Sequence, residues 1–568
     1  MESYATSRSR LIQTARDGLS ELTWTTFLAV LIFSCIATRI ITGLQSRPRD
    51  QDPAEPRSSR LAPYWFPWVG HGFSFIWDHV GLFESLRDSL RESVFCVYLR
   101  GEVYDTVISP SIMKTILSSK NSSSTPALDW ALQNVFGDRS LLRNLSLPRN
   151  QEISDDVPGA MNREPFISDT LKRITHLVQN KTPSLVSFSR SAVDQFPWER
   201  ESQVSVSEET QSVCEVNFFA LVRNFVGHNM SILLMGEAFV ENFPTFLGDL
   251  WILDKNFVPL FVGMRRWVPT PGVSSGFAAR DRLLHIMSVF YRAFVAWDDG
   301  IDPGIELREL DDVSELVKER MRTFRKLDMS PGGSAAANLS LSWDLIEYTT
   351  KITFWTVCHI FADSELLKDI RKEMSSCVKS SRPSREETGF PFDEPPKLSL
   401  DLEKVLEVCP LLRACYYETI RLHSAEISFR ELEADLTVTE SVEDATEPRI
   451  YKFRKGEKVI MPHGIYHYDS QRFSNPDQYD PLRFIVTDPM SGNKQVSDSA
   501  LVPFADGLYG SKNNSFTERA VLAFTSGLIS MWEIKPTDET GLVVPKDWTT
   551  WGTFRPAKDI RVNIKSRV

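Results

Sequence analysis

Cysteine is scarce and one-sided in this chain: Cys35, Cys96, Cys214, Cys358, Cys377, Cys409 and Cys415 are all there are, and nothing beyond residue 415 carries a thiol. Their spacing shows no pairs, which argues against a disulfide framework and against a zinc-finger type of site. The nine histidines include no His-x-x-His or His-Glu-x-x-His spacing, so no metallohydrolase and no metal are expected. A Gly-rich phosphate loop and an internal repeat are also missing. No basic stripe interrupts the net charge of −11, and nucleic acid is therefore not an expected partner.

What remains is apolar bulk. With 568 residues and 42% hydrophobic content, the chain can bury a large core. Leu22 to Leu44 is a candidate membrane segment, interrupted by Arg39, which can snorkel to the interface. Arg39, Arg47, Arg49, Arg57 and Arg60 follow or end it. By the positive-inside bias they place the bulk of the chain on the cytosolic side of a membrane, which we expect to be the endoplasmic reticulum. The expected organisation is an N-terminal segment with a single anchor over 1–45, a charged, proline-bearing linker over 46–62, and one large domain over 63–568. Sequons at Asn121, Asn144 and Asn338 would then stay unmodified.

The order of several motifs is more specific than any of them alone. Glu418-Thr-Ile-Arg421 places an acid and a base one turn apart, on a helix expected to start near Leu402. Tyr479-Asp-Pro-Leu-Arg483-Phe484 follows later. Between them stand His423-Ser-Ala-Glu-Ile-Ser-Phe-Arg430, Lys455-Gly-Glu-Lys-Val459, Met461-Pro462 and His467-Tyr-Asp469. Upstream are Trp343-Asp-Leu-Ile-Glu-Tyr-Thr349, Phe354-Trp355, Pro63-Tyr-Trp-Phe-Pro67-Trp68 and Gly70-His-Gly72. From about residue 60 to the end this series resembles the cytochrome P450 family of haem-thiolate monooxygenases. The similarity is greatest to its fungal secondary-metabolism members and to the bile-acid and prostacyclin branch. The resemblance implies a mainly α fold with a small β lobe behind a membrane anchor. It implies a buried triad of Glu418, Arg421 and Arg483, and a haem-propionate role for Arg430 if haem is bound.

The resemblance fails at the haem loop. Phe504-Ala-Asp-Gly507 and Phe516 match the family without a gap, which puts Ser511 at the ligand position, with Asn513 and Asn514 in place of its glycine and arginine. A thiolate pushes electron density onto haem iron and favours O–O cleavage. A serine hydroxyl seldom ionises near neutrality. We therefore expect no cofactor, with haem under altered ligation as the alternative, and a reductase partner only in that case.

The central helix departs as well. Glu347 stands where the family places a small residue, Tyr348 precedes Thr349, and Lys351 replaces a common proline. Glu347 and Lys351, four apart, read either as an intrahelical ion pair worth a few tenths of a kcal/mol or as groups that enter the former oxygen pocket. Burial would then move their pKa values toward neutrality and suit them to acid–base work. Glu347, Tyr348, Lys351 and Ser511 are the catalytic candidates, with Glu347 expected at the pocket rim.

The aromatic-rich stretch from Val216 to Ala296 suits a hydrophobic small-molecule substrate, although core packing explains most of its rings. Residues 139–215 read as surface loops with helical segments between them, 328–337 as a small-residue linker and 379–398 as a surface loop. Three functions compete. The first is a P450-fold enzyme of terpenoid or polyketide biosynthesis that catalyses a non-oxidative step, such as a Diels–Alder-type cyclisation, an isomerisation or a dehydration. The others are a haem monooxygenase with altered ligation and a non-catalytic accessory protein.

Overall fold

A computed structural model describes residues 2–47, 57, 59–139, 166–207, 212–383, 394–441, 449–489, 492–499, 501, 515–537, 541–548 and 550–568. Ser511, Asn513 and Asn514 lie outside the described residues.

The chain forms two compact units, Met1–Thr115 with Leu432–Ile460, and Ile116–Glu431 with Met461–Val568. In the first, the helix Glu2–Gln45 carries the apolar stretch Trp24–Gln45, whose side chains are almost all outside the protein core, as a membrane-crossing segment requires. Val94–Leu99 and Glu102–Val107 then pair antiparallel. Their tight turn has positive φ at both Arg100 and Gly101, the backbone twist that a two-residue hairpin demands. Arg60–Leu61 adds parallel to one edge, so the end of the stretch read as linker belongs to a sheet. Lys458–Ile460 pairs parallel with Tyr104–Thr106 on the other edge. Gly70 sits at φ +62, and a Cβ there would collide with the Tyr98 carbonyl, so the turn that follows Trp68 needs glycine.

The second unit is built around the central helix Pro331–Ala362. It is buried along nearly all its length against the helices Phe218–Met235, Val273–Asp298, Pro410–His423 and Ser515–Met531. The linker expected over 328–337 is instead largely the first turns of this helix. Ser330 caps it by accepting from Gly333 N at 3.1 Å, and Pro331 supplies a preset φ at the first helical position. Small residues then let neighbouring helices approach. Phe218–Met235 is also long and apolar enough to cross a membrane, but 83% of it is buried, which makes it a core helix.

Two further expectations change. The helix expected from Leu402 breaks at Cys409 (φ −115°, ψ 64°), because the following Pro410 disfavours helical backbone in the residue before it. The half-buried Glu373 carboxylate recaps the new helix, accepting from Leu411 N and Leu412 N at 2.9 and 3.0 Å. Within 379–398, Val378–Ser381 and Lys397–Leu400 pair as an antiparallel ladder rather than lying loose. A four-stranded antiparallel sheet, Trp532–Pro536, Arg561–Ser566, Val213–Asn217 and Ser205–Val206, closes this unit.

Candidate active site

One face of the central helix carries Trp343, Asp344, Glu347 and Lys351, all almost fully buried. Lys351 Nζ lies 2.6 Å from Glu347 Oε1, 3.0 Å from Asp254 Oδ2 on the helix Phe246–Lys255, and 3.3 Å from the Thr553 carbonyl. An ammonium has three N–H donors, and each has an acceptor here. Asp254 in turn accepts from Trp343 Nε1 at 3.3 Å. The Glu347–Lys351 pair is therefore one limb of a buried three-residue network, and neither residue lines the adjacent cavity. Tyr348 points elsewhere, its hydroxyl 3.3 Å from that of Tyr416, and burial raises the pKa of both phenols. Thr349 is fully buried, with no hydrogen-bond partner for its hydroxyl among the described residues.

The cavity beside this face, of about 30 Å³, has room for little more than a water molecule. Aromatic rings close it. Phe257 stacks on Trp343 at 4.5 Å and on Trp551 at 5.0 Å, and Phe261 and Phe429 flank Trp551 at 4.5 and 5.8 Å. Such pairs each add about 0.5–1.5 kcal/mol beyond area burial. The carboxylates that line the cavity are Asp344 and Glu426. Both are buried, and Ser424 Oγ donates to Glu426 Oε1 at 3.3 Å. Sequence reasoning did not select these two. Asp344 was visible one turn before Glu347 on the same helical face, but nothing local marks Glu426, which a different segment delivers.

Behind the site, the structure brings Glu418, Arg421 and Arg483 together. Arg421 grips Glu418 through two bonds of 2.7 and 2.8 Å, and Arg483 Nε donates to Glu418 at 3.2 Å. Backbone groups complete the cluster: Asp480 N donates to Glu418, while Arg421 donates to the His467 and Gln478 carbonyls. Arg430 is buried and donates to the Phe429 carbonyl at 3.0 Å. At the end of the central helix, His359 and His423 meet at 2.8 Å between their Nε2 atoms, sandwiched by Tyr479 and Trp355 rings at 3.9 and 3.8 Å. Burial lowers the pKa of both imidazoles. Among the described residues no group of three His, Cys, Asp or Glu side chains is arranged to hold a metal ion.

The Cytochrome P450 family profile matches residues 347–508. A solved structure titled retinoic acid bound cyanobacterial CYP120A1 superimposes with a TM-score of 0.60 at 16% identity, over 90% of this chain and 99% of that one. The fold is that of a cytochrome P450. Cytochrome P450 monooxygenase poxD of Penicillium oxalicum is 20% identical over 87% of this chain and 90% of its own length. Cytochrome P450 7A1 of Oryctolagus cuniculus is 22% identical over 94% and 96%. Residues 502–514, where the sequence motifs place the haem loop, lie outside the described residues, and no cysteine follows Cys415 in the chain.

Proposed function

We propose that this chain is a membrane-anchored enzyme of fungal secondary metabolism that performs a non-oxidative step on a lipophilic small molecule. The observation that carries this reading is a pair of buried carboxylates, Asp344 and Glu426, in a cavity walled by Trp343, Phe261, Phe429 and Trp551. A terpenoid or polyketide chain displaces the Trp551 and Phe261 rings on entry. The apolar walls then hold its reacting ends close, which lowers the barrier to an intramolecular cyclisation. One carboxyl donates a proton to a substrate oxygen or alkene and the other accepts one, so a cyclisation, isomerisation or dehydration proceeds without an electron donor. Glu347, Lys351 and Asp254 are positioning residues that hold Trp343 through its indole N–H. Ser511 lies outside the described residues and takes no step here.

The test is turnover of candidate intermediates by full-length protein in detergent, without NADPH or reductase. Asp344→Asn and Glu426→Gln should each lower kcat by about 100-fold while leaving the melting temperature near wild type. Turnover that demands NADPH and reductase would sink the proposal. The second reading, a haem enzyme with altered ligation and a reductase partner, draws on the monooxygenase names of the relatives. A Soret band at one haem per chain would favour it. The anchor helix supports a membrane site, for which we propose the endoplasmic reticulum with the catalytic unit in the cytosol.

A further inference from the structure

A second cavity, of about 600 Å³, lies among the short helices Pro197–Glu201 and Glu237–Asn242 and the helices Phe218–Met235 and Phe246–Lys255. It shares no lining residue with the Asp344–Glu426 cavity. Its size is in the range of small-molecule sites, about 300–1,000 Å³. The walls carry five large aromatic side chains, Trp198, Phe239, Phe243, Phe246 and Trp251.

Of the polar groups that line this cavity, Glu201 and Thr245 are exposed to solvent, and most of the others are already paired within the protein. The Trp198 indole donates to the Leu185 carbonyl, and the Trp251 indole donates to Asn224 Oδ1. The Asn224 amide donates to the Ala220 carbonyl, and Ser231 to that of Gly227. Asp249 is held by Arg282 at 2.9 Å, and Arg200 is turned onto the Ala192 and Gln195 carbonyls. His228, its ring 4.9 Å from Trp198, makes no hydrogen bond among the described residues. It is neutral at physiological pH, because burial lowers its pKa to about 4.

We propose that this cavity is a binding site for a neutral lipophilic alcohol or carbonyl compound, with His228 as the hydrogen-bond anchor for its single oxygen. A carboxylate or phosphate is disfavoured, since the one lining cation is committed to backbone and Glu201 stands at the mouth. An alkane fills the walls but leaves the imidazole unpaired.

Photolabelling of the full-length protein in detergent by a diazirine-bearing dodecanol tests this, with the labelled peptides mapped by mass spectrometry. Label is expected on 197–201 and 239–252, competed by dodecanol more strongly than by dodecane or dodecanoate. His228→Leu should weaken competition by dodecanol about fivefold, the worth of one neutral hydrogen bond, and His228→Gln should restore it. Gly248→Trp should block labelling, because a side chain at Gly248 meets no neighbour within 4 Å and grows over the mouth. Label confined to Trp24–Gln45, or equal competition by dodecane or dodecanoate, would overturn the assignment in the wild-type protein alone. Labelling unaffected by His228→Leu would overturn the role of His228.

Discussion

At the scale of single residues, charge is placed where it is costly to disturb. Lys351 is the cation shared by two buried carboxyl groups, Asp254 and Glu347, so Lys351→Met should cost about 3–5 kcal/mol. Chemical denaturation checks this, and a variant as stable as wild type would show that the network relaxes freely. Glu347→Gln should cost less, because Asp254 still faces the ammonium. Thr349→Ala removes a hydroxyl with no partner among the described residues. It should leave both stability and turnover close to wild type, whereas an oxygenase that used this threonine for proton delivery would lose turnover. Neither Asp254 nor Glu426 was legible as a member of the site. Each lies on a segment remote in sequence from the central helix, and only packing brings it there.

Elements show the same division. Glu418 and Arg421 are one turn apart on one helix, so their pairing was readable from spacing. Arg483 joins them because Asp480 and Pro481 start a short 3-10 turn, with Asp480 accepting from Leu482 N at 3.0 Å. Arg421→Ala should strand the wholly buried Glu418 and cost about 3–5 kcal/mol. Arg483→Ala should cost less, since Arg421 still holds both carboxylate oxygens. Comparing soluble yield and melting temperature of the two variants decides the order. The start of the central helix was misjudged from composition, because Gly and Ala read as linker until Ser330 and Pro331 are recognised as a cap and first turn. The break at Cys409, by contrast, had a local signal in Pro410.

For the whole molecule, histidine burial sets an acid limit. Burial lowers the pKa of seven of the nine histidines, to about 4 for His71 and His79 and to about 3 for His463 and His467. A histidine lowered in the folded state takes up its proton in the unfolded chain first. Stability should therefore fall as pH drops from about 6.5 toward 4. Three carboxyls work the other way, because desolvation raises Asp105 to about 6 and also raises Glu373 and Asp559. Melting temperatures between pH 8 and 4.5 measure the balance, and a flat or rising profile on acidification would show that the carboxyls win. A second expectation at this scale concerns the haem loop. Purified protein should carry less than one haem per chain, because residues 502–514 supply no thiolate, and its absorption spectrum reads this directly.

The sequence by itself determined the apolar N-terminal helix, the Glu418–Arg421 pair, the course of the central helix past Thr349 and the lack of a thiol after Cys415. All of these depend on spacing along one segment or on residue identity. Tertiary structure alone decided that Lys351 faces Asp254, that Asp344 and Glu426 share a cavity, and that Tyr348 turns to Tyr416. The physical reason is that helical periodicity says which residues share a face. What that face meets depends on which other elements pack against it, and here those arrive from distant parts of the chain.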